Sequence, residues 1–106
     1  SDNPRFALYQ AQYDACIAGK AAAEKTELVT IAGKCCESGD MITRDIYLQP
    51  AQRGDVLCVF ATGAYTYSMA SNYNRLLRPP IVLISGGEPR LVVRRETYED
   101  LVRCEL

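Results

Sequence analysis

Histidine is absent from this 106-residue chain, and so is tryptophan. Without imidazole there is no Ser-His-Asp triad, no Cys-His pair and no histidine metal ligand. Acid–base work therefore falls to Cys, Asp, Glu, Tyr, Lys or Arg. Long apolar runs are also missing. No stretch of about 18 apolar residues occurs, so no membrane-spanning helix is expected. No charged-then-apolar signal segment opens the chain. Neither sign of charge is in excess: 12 basic residues meet 13 acidic ones, for a net charge of -1. That argues against nucleic acid or an anionic membrane as the main partner.

What is present fits one modest globular domain, residues 1–106. Hydrophobic residues make up 48% and charged residues 24%, ordinary values for a folded chain. Five cysteines, an odd number at irregular spacing, do not form a disulfide framework and suit a reduced, cytoplasmic setting. Cys35 and Cys36 are adjacent, which is not a zinc spacing, and no second pair completes a site, so no metal is expected. Cys58, inside Val56-Leu57-Cys58-Val59-Phe60, reads as a buried core thiol. The chain begins at Ser1 without Met, which suits a piece of a longer protein.

The pattern predicts mainly β structure. Ser1 to Phe6 is polar and turn-like around Asn3-Pro4. Leu8 to Ala15 alternates as a half-buried strand, although its Ala and Gln leave a helix open. Gly19 to Glu27 reads as an exposed loop. Leu28 to Lys34 carries the β-branched Val29, Thr30 and Ile31 of a strand. Met41 to Leu48 alternates, with Ile42 and Ile46 opposite Thr43 and Asp45. Asp55 to Ala61 is a near-continuous apolar run, expected as a central strand covered on both faces. Residues 62–78 form an irregular loop. Ile81 to Ile84 and Arg90 to Arg95 flank Gly86-Gly87 as a hairpin. Thr97 caps a short helix through Arg103. The fold class expected is all-β, a barrel or sandwich domain with one or two short helices.

The chemistry concentrates in Gly33-Lys34-Cys35-Cys36-Glu37-Ser38-Gly39-Asp40, a Gly-flanked loop after a strand. An ordinary thiol is mostly protonated at neutral pH and can donate a proton. A neighbouring carboxylate can receive an ammonium group. Taken as residues alone, the two cysteines are better explained as small side chains in a Gly-flanked turn. A vicinal disulfide or thiol redox switch is a third reading, disfavoured by strained geometry.

Cys36-Glu37-Ser38-Gly39-Asp40 resembles a stretch carried by diaminopimelate decarboxylases, pyridoxal-phosphate enzymes of lysine biosynthesis with ornithine and arginine relatives. Arg5 and Tyr9, and Gly63-Ala64-Tyr65, match further motifs in the expected order. So do Asn72-Tyr73-Asn74 and Arg78-Pro79, read as shaping an interface. The similarity runs from Ser1 to about Asp100, with Phe6 departing where a second Pro is common. It implies a β-domain that follows a lysine-bearing, cofactor-holding barrel absent from these residues.

The resemblance also implies roles. Cys36 would be the proton donor to the substrate carbon after carbon dioxide leaves. Glu37 would bind the distal amino group, and Arg5 and Tyr9 a substrate carboxylate. Tyr65 would line the cofactor and substrate pocket. Cys36 and Glu37 would reach into the partner subunit's site of a homodimer. Ornithine and arginine relatives typically have Asp at position 37. Glu there favours diaminopimelate, because one methylene alters reach by about 1.5 Å, and a site built for one polar group can reject an analogue lacking it by about 10⁴-fold.

Lys20, Lys25 and Lys34 are the only lysines, and none has a phosphate-binding glycine loop beside it. The chain alone is therefore expected to be inactive. Two other readings stand beside this one: a non-catalytic β-rich dimerisation domain, and a domain of an ornithine- or arginine-type decarboxylase.

Overall fold

The structure, a computed structural model, describes residues 8–106. Arg5 and the turn expected around Asn3-Pro4 lie outside the described residues. The chain divides into two compact units, one closing at Thr66 and the other opening at Tyr67.

The first unit contains strands β1 (Ala15–Ile17), β2 (Glu27–Ala32), β3 (Met41–Leu48) and β4 (Leu57–Val59). β1 pairs antiparallel with β4, setting Ala15 opposite Val59, Cys16 opposite Cys58 and Ile17 opposite Leu57. β2 pairs antiparallel with β3, from Glu27 opposite Leu48 to Ala32 opposite Met41. β3 has eight residues and β2 six, and register shifts between Val29 and Ile31 and between Ile31 and Ala32 absorb the difference. These are β-bulges, which set two residues against one and add twist.

The bulge at Arg44-Asp45 overturns a detail of the expected alternation. Asp45 adopts a left-handed φ of 52°, and its N–H donates to Thr30 Oγ1 at 3.4 Å. The extra residue moves Thr43 into phase with Ile46 and Leu48. Thr43 is consequently buried, at 1% exposure, rather than facing away from Ile46. Because strand side chains repeat every two residues, a single insertion is enough to do this.

The core of this unit is small: Ala15, Ile17 and Leu48, with Val29, Ile31, Ile46 and Val59 packed against them. Fully burying a side chain such as Leu48 contributes about 1.5–3 kcal/mol. Gln49 is also buried, its Oε1 accepting the Ile17 N–H at 3.0 Å. That bond joins the end of β3 to β1 and satisfies a buried amide.

Two strand expectations need correction. Leu8 and Tyr9 lie in a helical turn, and the strand begins only at Ala15. Gln10, with a φ of 54°, breaks the extended run that the alternation suggested. The apolar run at 55–61 yields only the three-residue β4, not a strand covered on both faces. Val56 and Phe60 are exposed, and Cys58 is an exposed thiol rather than a core one. Within the described residues β4 is hydrogen-bonded to β1 alone, so its second edge gains no cover. The buried cysteine is Cys16.

The second unit holds β5 (Ile81–Ser85), β6 (Glu88–Val93) and α1 (Tyr98–Val102). β5 and β6 form the expected hairpin, turning at Gly86 and Gly87 with φ of 59° and 83°. Glycine suits this turn because positive φ costs it nothing. Thr97 caps α1 reciprocally: its Oγ1 accepts from the Asp100 N–H, and the Asp100 carboxylate accepts from the Thr97 N–H. Among the described residues, mainly β structure with few helices is thus what folds, as three antiparallel pairs. Among the described residues no helix is long and apolar enough to cross a membrane.

Candidate functional site

Loop 33–40 joins β2 to β3 and carries both Cys36 and Glu37 at the surface. Its mouth is closed by the Gly33 N–H, which donates to the Asp40 carbonyl at 2.8 Å. Beneath the loop lies Asp40, only 5% exposed. Its Oδ2 accepts the Cys35 N–H at 3.0 Å. The Glu37 N–H donates to the Cys35 carbonyl at 2.8 Å, which makes a three-residue turn with Cys36 at its apex. Cys36 therefore projects from a held backbone. Glu37 Oε1 accepts the Gly39 N–H at 2.8 Å, so the carboxylate folds over its own loop. A β-carbon at Gly39 would meet Glu37 Oε2 at 2.6 Å, and glycine leaves that space free.

Tyr9 and Tyr65 stand in two other connections of the same unit, and both are exposed, at 51% and 67%. Tyr9 precedes β1 and Tyr65 follows β4. The β1–β4 ladder ends with the Phe60 N–H donating to the Asp14 carbonyl at 2.9 Å, so both connections leave at one end of it. Ile17 is bonded to Gln49, just beyond β3, whereas Gln12, Tyr13 and Asp14 line a groove of about 800 Å³ with Thr43 to Tyr47. Moving back along β1 thus tracks back along β3 towards Met41 and the loop. Gln10 and Ala61 take left-handed φ of 54° and 55°, so each connection turns between the β1–β4 ladder and its tyrosine. Tyr65 takes a left-handed φ of 64°.

Two of the three lysines are paired away from this loop. Lys20 Nζ lies 2.7 Å from Asp55 Oδ2 and also donates to the Pro50 carbonyl. Lys25 Nζ lies 2.9 Å from Asp14 Oδ1. These ion pairs hold the carboxyls of Asp55 and Asp14 below their ordinary values, chiefly through the lysine hydrogen bonds. Lys34 is exposed on the loop. Gly86 and Gly87 form a hairpin turn with no basic residue in it. The described residues therefore do not fit a pyridoxal-phosphate cradle.

Two residues that sequence reasoning passed over do much of the positioning. Asp40 anchors the loop; in the sequence it shows only as the last residue of the Cys-Glu-Ser-Gly-Asp stretch, and its close packing against Gly33 appears only in the fold. In the second unit, Glu96 fixes residues 72–78. Its Oε2 accepts from Asn72 Nδ2 at 2.7 Å and from the Arg78 N–H at 2.8 Å. Those bonds, the Arg78 N–H first, lower its carboxyl pKa.

A small antiparallel sheet domain with a thiol and a carboxylate on an anchored inter-strand loop is the class these features define. The chain belongs to the family described as pyridoxal-dependent decarboxylase, C-terminal sheet domain, whose model matches residues 1–63. It is 56% identical over 106 residues to diaminopimelate decarboxylase of Bacillus subtilis, covering 100% of this chain and 24% of that protein. Identity to the Synechocystis enzyme of the same name is 53% over 103 residues, 97% of this chain and 22% of that protein. Among solved structures, diaminopimelate decarboxylase of M. jannaschii in complex with L-lysine matches with a TM-score of 0.86 and 41% identity, over 96% of this chain and 23% of that one. The Helicobacter pylori enzyme complexed with L-lysine matches with a TM-score of 0.83 and 30% identity, over 95% and 25%. The chain spans about a quarter of the length of these relatives.

Proposed function

We propose that this chain is the C-terminal domain of a two-domain, cytoplasmic diaminopimelate decarboxylase, which converts meso-2,6-diaminopimelate to L-lysine and carbon dioxide. The observation that carries this reading is the exposed Cys36-Glu37 pair on an anchored loop, in a chain of this family. Pyridoxal phosphate is held by the part of the protein outside this chain, since the described lysines and glycines do not fit it. The work of these residues is on the substrate side.

Cys36 gives its thiol proton to the carbon that has lost carbon dioxide, and solvent returns a proton to the thiolate. Glu37 accepts hydrogen bonds from the ammonium group at the far end of the substrate. Arg5 and Tyr9 hold a substrate carboxylate. Tyr65 lines the pocket from the connection after β4. The site is completed in a homodimer, with the Cys36 loop entering the partner's half. Apolar side chains left on the surface, such as Leu28 opposite Tyr47 at 61% and 59% exposure, support contact with further protein.

The test is Cys36→Ala in the full-length protein, with carbon dioxide release from meso-diaminopimelate measured beside release from ornithine and arginine. Loss of a positioned proton donor is expected to lower turnover by about 10²–10⁴-fold, with thermal unfolding unchanged. Turnover within a few-fold of the parent would leave this domain as a scaffold for dimerisation. Preference for ornithine or arginine would overturn the substrate.

A further inference from the structure

We infer that Asp40 is a positioning residue for the Cys36 proton donor, an inference that rests on the reading above. Three observations carry it. Asp40 is buried while the loop above it is exposed. Its Oδ2 accepts the Cys35 N–H, and the Cys35 carbonyl accepts the Glu37 N–H. Both peptide groups of Cys35 are therefore held, and these set the direction in which the next side chain, Cys36, leaves the backbone. Finally, Gly33 gives up its side-chain volume to this carboxylate, since a β-carbon there would lie 1.9 Å from Oδ2 and 2.3 Å from Cγ. A carboxylate packed against a glycine has little room to move.

The physical logic is transmission through a short rigid path. A charge-assisted bond from Asp40 fixes one peptide plane, and a three-residue turn fixes the next. Cys36 sits at the apex. Proton transfer needs donor and carbon at close approach, and a displacement of about 1 Å can cost up to about 100-fold in rate. Asp40 touches no substrate in this scheme. It acts through the backbone that presents the thiol.

The experiment compares Asp40→Asn and Asp40→Ala in the full-length protein. Turnover on meso-diaminopimelate is split into kcat and KM, and amide hydrogen exchange is followed for peptides covering 33–41. Asp40→Ala is expected to lower kcat about 10–100-fold with KM little changed. Exchange in 33–41 should quicken about tenfold or more while β1 and β4 keep their protection. Asp40→Asn retains an acceptor oxygen of the same shape but loses the charge. It should fall between, about two- to fivefold below the parent in kcat. If the alanine variant does not fold, the asparagine variant decides alone by the same two readouts.

Parent-like kcat in the folded variants overturns the inference. So does a kcat loss with loop exchange unchanged, or one that only follows a general loosening of the unit. Failure of the underlying reading looks different. If Cys36→Ala leaves turnover intact, that reading falls and takes the positioning role with it, whatever the loop exchange shows. If Cys36→Ala abolishes turnover while both Asp40 variants match the parent, the Asp40 inference falls alone.

Discussion

Replacing Gly33 by Ala tests the loop anchor through stability alone. The added β-carbon would lie 1.9 Å from Asp40 Oδ2 and 2.3 Å from Cγ and Oδ1, far inside any van der Waals contact. The carboxylate must move, yet it is buried and bonded to the Cys35 N–H at 3.0 Å. Losing a hydrogen bond to a charged group costs about 1.5–3 kcal/mol. Forcing volume into a filled site costs about 1–3 kcal/mol more. Against this, Ala restricts the unfolded chain and gives back about 0.4–1 kcal/mol. The net loss is about 2–5 kcal/mol. Native-state hydrogen exchange of the β2 and β3 amides reads it directly, with even 2 kcal/mol quickening exchange about 30-fold. Gly19→Ala is the control, because no atom lies within 4 Å of its added β-carbon. It should leave exchange unchanged or slower. Exchange in Gly33→Ala within about threefold of the parent would refute the reasoning, for it would mean that Asp40 moves without loss.

Three further outcomes are expected. Leu48→Ala removes a side chain that is 4% exposed at the junction of β1 and β3. It should cost about 2–5 kcal/mol in denaturant unfolding, the usual range for an aliphatic core truncation. Thr97→Ala removes the cap of α1 and should cost about 0.5–2 kcal/mol, seen as faster exchange of the Asp100 and Leu101 amides. Acid should weaken the second unit selectively. The Arg94 guanidinium lies 2.5 and 2.7 Å from the Asp100 oxygens and, with the Thr97 N–H, holds that carboxyl well below its ordinary 3.8. Glu96 is likewise lowered from 4.5. A folded pKa depressed below the unfolded one gives stability that is present above the unfolded value and lost as pH falls beneath it. The β5–β6–α1 amides should therefore lose protection below about pH 4, and Asp100→Asn should flatten that dependence. An acid response unchanged in Asp100→Asn would contradict the assignment.

How far the sequence could be read depended on whether local chemistry set the outcome. The β5–β6 hairpin and the Thr97 cap were legible because glycine conformational freedom and a side-chain hydroxyl act within a few residues. Met41–Leu48 was legible as a strand, but its facing was not. The left-handed Asp45 that slips the phase by one residue leaves no mark in an alternating pattern. Cys58 was misread for a different reason. Apolar composition reports what a segment would bury, not whether a neighbouring strand is there to cover it. Cys36 and Glu37 were visible through motif resemblance, and Asp40 only as the last letter of that motif. Its role emerges from a contact across seven residues with Gly33, which requires the folded loop. Arg5 stays an expectation from sequence.

The Gly39 N–H bond to Glu37 raises the question of whether Glu37 is tied up and unable to receive a substrate. Carboxylate chemistry argues that it is not. An ionised carboxylate has two oxygens and about four acceptor positions. The loop uses Oε1 at 2.8 Å. Oε2 projects over Gly39, where glycine leaves the space open. The same bond fixes the plane of the carboxylate and removes rotamer freedom before any ligand arrives. A long Glu side chain loses up to about 2 kcal/mol of rotamer freedom when it is ordered. Doing so in advance lowers the cost of binding an ammonium group. The loop thus holds the two residues proposed for the site by opposite means. Cys36 is directed by its backbone, through Cys35 and Asp40, and Glu37 by its side chain, through Gly39. Both glycines that flank the pair serve this division, Gly33 making room for the anchor and Gly39 for the carboxylate itself.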